Sequence, residues 1–169
     1  AAHSSRFRGR RPAILRYGAI REPACRSAAA GHRTPEIAGL AMKAVDQTRF
    51  GLDGNCLGAC LASILEIPIE ETEALTRDME EAERQSRNWF QILERWLWDR
   101  GWMPIFALSS DLRGKTPAGY CLAGGKSDRG LEHSVVVFDG KVVHDPHPLK
   151  TGVAQIKDYI YLMPIVSPE

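Results

Sequence analysis

Long apolar runs are missing from this 169-residue chain. No stretch approaches the ~18 residues of a membrane span, so no membrane partner is expected. Cysteine is scarce: four residues, at 25, 56, 60 and 121, do not make the disulfide framework of a small secreted domain. They read as reduced thiols in a cytoplasmic setting. The chain holds no internal repeat and no signal-peptide core of ~7–15 apolar residues. Zinc spacing is also lacking. Cys56 and Cys60 lie one helical turn apart, but no second cysteine pair or His-x₃₋₅-His completes a set, because Asp-Pro separates His144 from His147. Neither a metal nor a cofactor is expected.

Acidic residues and lysine are nearly absent from residues 1–41, which hold eight arginines, no lysine, and only Glu22 and Glu36, for a net charge of +6. Such a segment suits a nucleic-acid arm or a transit peptide. Ala, Gly, Pro and Arg dominate it without a sustained helical period, however. It is therefore read as a disordered basic extension, or as sequence upstream of a natural start at Met42. Residues 42–169 hold 14 basic and 19 acidic side chains, a net of −5, which argues against a nucleic-acid partner. With 44% apolar and 25% charged residues overall, 42–169 reads as one globular domain.

Val45 to Asn55 reads as a loop. Leu57, Cys60, Leu61, Ile64 and Leu65 recur at helical spacing and predict a helix from Cys56 to about Glu66, ended by Pro68. A second helix, Glu70 to about Arg84, is acidic in its first turn. A third, about Arg87 to Arg100, carries Trp89, Ile92, Leu93, Trp96 and Leu97 on one stripe and stops at Gly101, leaving Trp98 off the stripe. Short strands follow at Met103–Leu108, Tyr120–Ala123, His133–Phe138, Lys141–His144 and Tyr159–Pro164, with a flexible loop over Gly124–Gly130 leading to His133. Helices first and antiparallel strands second predict an α+β domain.

The chemistry is expected at Cys56. A thiol at a helix N-terminus feels unpaired N–H groups and the positive end of the helix dipole, and both favour thiolate. His133 opens a Val-rich strand and Asp145 follows the next one. The hairpin between them decides whether they meet. A plain two-residue turn at Asp139-Gly140 sets His133 opposite Pro146, with Asp145 on the other face. A three-residue loop Phe138-Asp139-Gly140 with a bulge sets His133 opposite Asp145, and this is the register expected here. His144 and His147 are the competing bases. Cys60 reads as a core residue. Gln47, nine residues before the thiol, is a candidate oxyanion donor together with the Cys56 N–H, and Asn55 competes for that role.

Gln47, Asn55-Cys56, Ala59-Cys60-Leu61, His133-Ser134-Val135-Val136-Val137 and Asp145-Pro146 resemble the papain-like cysteine peptidases, and most closely the bacterial double-glycine-leader peptidase type. Asn55 and Leu57 stand where that group carries Asp and Gly, and the Gln-to-Cys gap is about three residues longer. The resemblance implies helices carrying Cys56, a sheet carrying His133 and Asp145, and a cleft between them. It implies a hydrolase of peptide or other amide bonds, acting on a peptide or protein substrate through Cys56, His133, Asp145 and Gln47. A deamidase or transglutaminase-like effector, and an inactive binding module of the same fold, are the rival expectations.

Overall fold

The computed structural model describes residues 42–116 and 118–165. The basic extension 1–41 and Cys25 lie outside the described residues. The domain is α+β: three helices, α1 (Cys56–Leu65), α2 (Glu73–Arg84) and α3 (Trp89–Trp98), precede a five-stranded antiparallel sheet. Its strands are β1 (Trp102–Leu108), β2 (Tyr120–Lys126), β3 (Glu132–Phe138), β4 (Lys141–His144) and β5 (Gln155–Pro164), in the order β1-β5-β2-β3-β4. Among the described residues, no helix is long and apolar enough to cross a membrane.

α1 is buried on nearly every side, not along one stripe: Gly58, Ala59, Cys60, Leu61, Ala62, Ser63 and Ile64 are all buried. Small residues allow this close approach. A side chain at Gly58 would come within 2.6 Å of Thr72 Oγ1 and 2.7 Å of Thr76 Cγ2, so α2 rests directly on this turn. α2 and α3 are one-sided, burying Leu75 and Met79, and Leu93 and Leu97. Asn88 caps α3 by accepting the Phe90 N–H at 3.1 Å. Trp98 is exposed, as its place off the stripe predicts.

Strand alternation sorts the sheet into two faces. Leu122, Val136 and Ile160 join Cys60, Leu61 and Leu93 in the helix-side core, while Cys121, Ala123, Val135, Val137 and Tyr159 form a second cluster. Two expectations for the sheet change. Gly124, Gly125 and Lys126 belong to β2, and residues 127–130 form a tight turn. β2 extends this far because glycine lets it close on β5: a Cβ at Gly125 would collide with the Gln155 carbonyl, and Gly125 is the residue facing His133.

The β3–β4 hairpin corrects the expected register. Phe138 pairs with Lys141, so the loop is the two-residue turn Asp139-Gly140, with φ of +47° and +78°. Both values suit a type I′ turn, and Asp139 Oδ1 braces it by accepting the Gly119 N–H at 2.7 Å. The bulge lies in β4 instead. Val137 faces Val142 but Val136 faces His144, which leaves Val143 as the extra residue. One inserted residue exchanges the faces of everything after it. His144 turns to the Val136 side, and Asp145 to the side of His133 and Val135.

Candidate active site

Cys56 is the first residue of α1, ahead of the first helical hydrogen bond, which runs from the Ala59 N–H to Asn55 O at 3.0 Å. Asn55 puts it there. Asn55 is 1% exposed, and its Oδ1 accepts the Thr48 and Arg49 N–H groups at 3.0 and 2.9 Å. Its Nδ2 donates to Thr48 Oγ1 and to Glu73 Oε1 at 3.0 and 2.7 Å. Every polar atom of this amide is committed, so Asn55 folds the loop that delivers the thiol and has nothing left for the cleft. Arg49 tightens the same loop through ion pairs with Glu73 at 3.3 Å and Glu80 at 3.1 Å.

His133 Nε2 lies 2.7 Å from Asp145 Oδ1, with both side chains buried. This contact leaves Nδ1 as the ring nitrogen for the Cys56 thiol. The carboxylate is itself held: Oδ1 also accepts the His147 N–H at 2.8 Å and Oδ2 the Gly152 N–H at 2.7 Å. Burial pushes the Asp145 carboxyl up. The hydrogen bond to His133 and the two backbone donors outweigh it, and the net shift is downward. Asp145 is an anion throughout the neutral range.

The thiol and the imidazole shift towards each other. Burial raises Cys56, but the hydrogen bond and charge of His133 and the hydrogen bonds from the Ser134 amide and hydroxyl bring it below its ordinary value. Burial lowers His133, while its hydrogen bonds to Cys56 and Asp145 raise it above the usual 6.5. Such shifts favour a thiolate–imidazolium pair. The other described thiols move the opposite way: burial raises Cys60 well above an ordinary cysteine, and lifts Cys121 to about 12.

Gln47 reaches the same cleft despite its distance in sequence. Gly51–Asp53 coil into a 3-10 turn, closed by the Gly54 N–H to Gly51 O bond, and this takes up the extra length of the loop. Gln47 is buried and lines the cleft beside Cys56, Gly54 and His133. Its Nε2 donates to Arg49 O at 2.7 Å, which leaves the second amide hydrogen unengaged. Its own N–H donates to Pro146 O at 3.0 Å, joining the loop before the thiol to the loop after Asp145. Lys150 Nζ reinforces this joint by bonding Asp145 O and pairing with Asp46.

The rival histidines have other tasks. His144 is buried and bonds Val45 O through Nε2 at 2.8 Å, tying β4 to the segment before Gln47. His147 forms a cleft wall, edge-on to His133 with centroids 6.1 Å apart and to Phe50 at 5.4 Å. Burial first, and the nearby Arg129 charge next, push His147 down, so it gives up its proton at a lower pH than His133. Ser134, Arg129 and Lys150 had no separate signal in the sequence, since each gains its role from a neighbour remote along the chain. A larger groove between α2 and α3 is lined by Asp78, Glu81, Arg87, Gln91 and Trp96 and by no cysteine, serine or threonine. Among the described residues, no group of three or more His, Cys, Asp or Glu side chains is arranged to hold a metal ion.

Removing the Val143 bulge should separate the pair. With Val143 deleted, His144 and Asp145 return to the opposite faces. The His133 titration followed by NMR should then fall back towards 6.5 while the circular dichroism of the fold persists. A raised value surviving the deletion would show that the bulge does not set this contact.

Comparison with protein-family models, with curated proteins and with solved structures finds no match to this chain.

Proposed function

We propose that the protein is a papain-like cysteine hydrolase that cleaves peptide bonds. The observation that carries this reading is the relay Cys56–His133–Asp145, assembled at a helix N-terminus with the thiol shifted down and the imidazole shifted up. The Cys56 thiolate attacks the substrate carbonyl carbon, and the electron pair moves to oxygen. The Gln47 Nε2–H and the Cys56 N–H stabilise that oxyanion. His133 gives its Nδ1 proton to the departing amine nitrogen, leaving a thioester. Water, deprotonated by His133, then attacks the thioester to release the acid and restore the thiol. Asp145 orients the ring and supports its charge. The order of the three residues, helix before sheet, supports assignment to the papain-like class, and no cofactor takes part in the reaction. The free thiols of Cys56, Cys60 and Cys121 favour a reducing compartment, the cytoplasm.

Alkylation tests the site. Iodoacetamide at pH 7 should modify Cys56 at least tenfold faster than Cys60 or Cys121, read by peptide mass mapping. The pH dependence follows from the directions of the shifts. An ordinary thiol loses thiolate as pH falls through about 9, whereas Cys56 should keep its rate well below that and lose it only as the lowered pKa is crossed. Equal rates at all three cysteines, with a profile centred near 9, would refute the nucleophile. Peptide-library cleavage abolished by Cys56→Ala supports a peptidase. Release of ammonia without chain cleavage would point to a deamidase.

A further inference from the structure

We propose that Arg129 makes this cleft selective for substrates bearing a carboxylate beside the reacting amide, an inference that rests on the cysteine-hydrolase reading of the same site. Arg129 lies in the turn between β2 and β3. Ser127 closes that turn: its N–H and hydroxyl both bond Leu131 O, at 2.9 and 3.1 Å, and its carbonyl accepts the Gly130 N–H at 2.9 Å. The half-buried Arg129 side chain lines the cleft together with Cys56, His133, Leu131 and His147. Its Nη1 donates to Thr151 Oγ1 at 2.8 Å, so a hydroxyl aims the guanidinium without neutralising it.

No carboxylate pairs with Arg129 among the described residues, although residues 42–169 carry a net charge of −5. The acid on the same cleft wall, Glu132, is already held by Lys157 Nζ at 2.6 Å. An arginine left uncompensated in an acidic domain, and steadied at one nitrogen, keeps the rest of its planar fork for an incoming anion. That geometry matches a carboxylate. The depressed basicity of His147 reports the same positive field inside the cleft, after the effect of its burial. The carboxylate has two sources in a peptide, an acidic side chain or a free C-terminus, and their chemistry is shared.

The test compares iodoacetate, an anion, with iodoacetamide, its neutral analogue, on Cys56 of the full chain. The ratio of the two rates cancels any change in thiolate fraction. Arg129→Gln should lower the iodoacetate-to-iodoacetamide ratio by about threefold or more at low salt, and Thr151→Val by less, because it only releases the guanidinium. Acetyl-Ala-Glu-Ala-amide and acetyl-Ala-Ala-Ala with a free C-terminus then compete with iodoacetamide, against acetyl-Ala-Gln-Ala-amide as the neutral control. Stronger protection by the first identifies a side-chain carboxylate, and by the second a terminal one. In either case Arg129→Gln should remove the excess protection. An unchanged rate ratio with Cys56 still selectively alkylated overturns the inference and leaves the hydrolase reading standing. Loss of selective alkylation in the unmodified sequence overturns both.

Discussion

His133→Ala should lower amide hydrolysis to the residual level of Cys56→Ala, while His144→Ala keeps most of it. The two histidines differ in what they touch. His133 bridges the thiol and Asp145, so its loss removes the charge that holds the thiolate down and, in the proposed reaction, the proton carrier. A positioned acid–base group contributes on the order of 10²–10⁴-fold, and the loss of thiolate stabilisation adds to that. His144 bonds Val45 O, worth about 1 kcal/mol plus its packing, and lies 4.0 Å from Asp46 Oδ1, so its removal should register in the thermal midpoint more than in turnover. Asp145→Asn falls between, because orientation is one part of the effect and Cys56 keeps its helix position. Initial rates on one peptide substrate, with the fold of each variant checked by circular dichroism, decide the matter. An inactive His144→Ala beside an active His133→Ala would reassign the base.

The second large effect concerns Asn55, which does not touch the chemistry. Asn55→Ala strands the Thr48 and Arg49 N–H groups around a side chain that is 1% exposed, and leaves Glu73 Oε1 with only the long Thr48 hydroxyl contact at 3.4 Å. At about 1–3 kcal/mol for each stranded group, moderated by relaxation, the loss is roughly 3–5 kcal/mol, a large share of a small domain's stability. The same contacts explain why an amide, and not a carboxylate, stands beside the thiol. Nδ2 points at the Glu73 carboxylate, and Asn55→Asp would set two anions 2.7 Å apart. Asn55→Asp should therefore destabilise the fold, and Glu73→Gln should recover part of the loss, giving a favourable coupling of about 1–2 kcal/mol in a denaturation cycle. Strict additivity of the two substitutions would show that these side chains do not interact.

Much of the framework was legible along the chain because it depends on near neighbours. Helical spacing located α1 and α3, Gly101 and Pro68 marked stops, and Asp139-Gly140 marked a hairpin, all through local backbone preference. The polar turn before Cys56 likewise announced a thiol at a helix start. The register that unites His133 with Asp145 was decided by tertiary packing. Its face was anticipated, but by a bulge in the turn, whereas the extra residue is Val143, which carries no local mark of a bulge. Asp-Gly satisfied the two-residue turn by itself, and the offset was absorbed where β4 leaves the sheet. The return of Gln47, the full engagement of Asn55 by Glu73, and the arrival of Ser134 and Arg129 at the cleft also depended on the assembled fold. Each joins groups remote in sequence whose partners exist only once α1 has packed against β3, so no window of neighbouring residues contains the information.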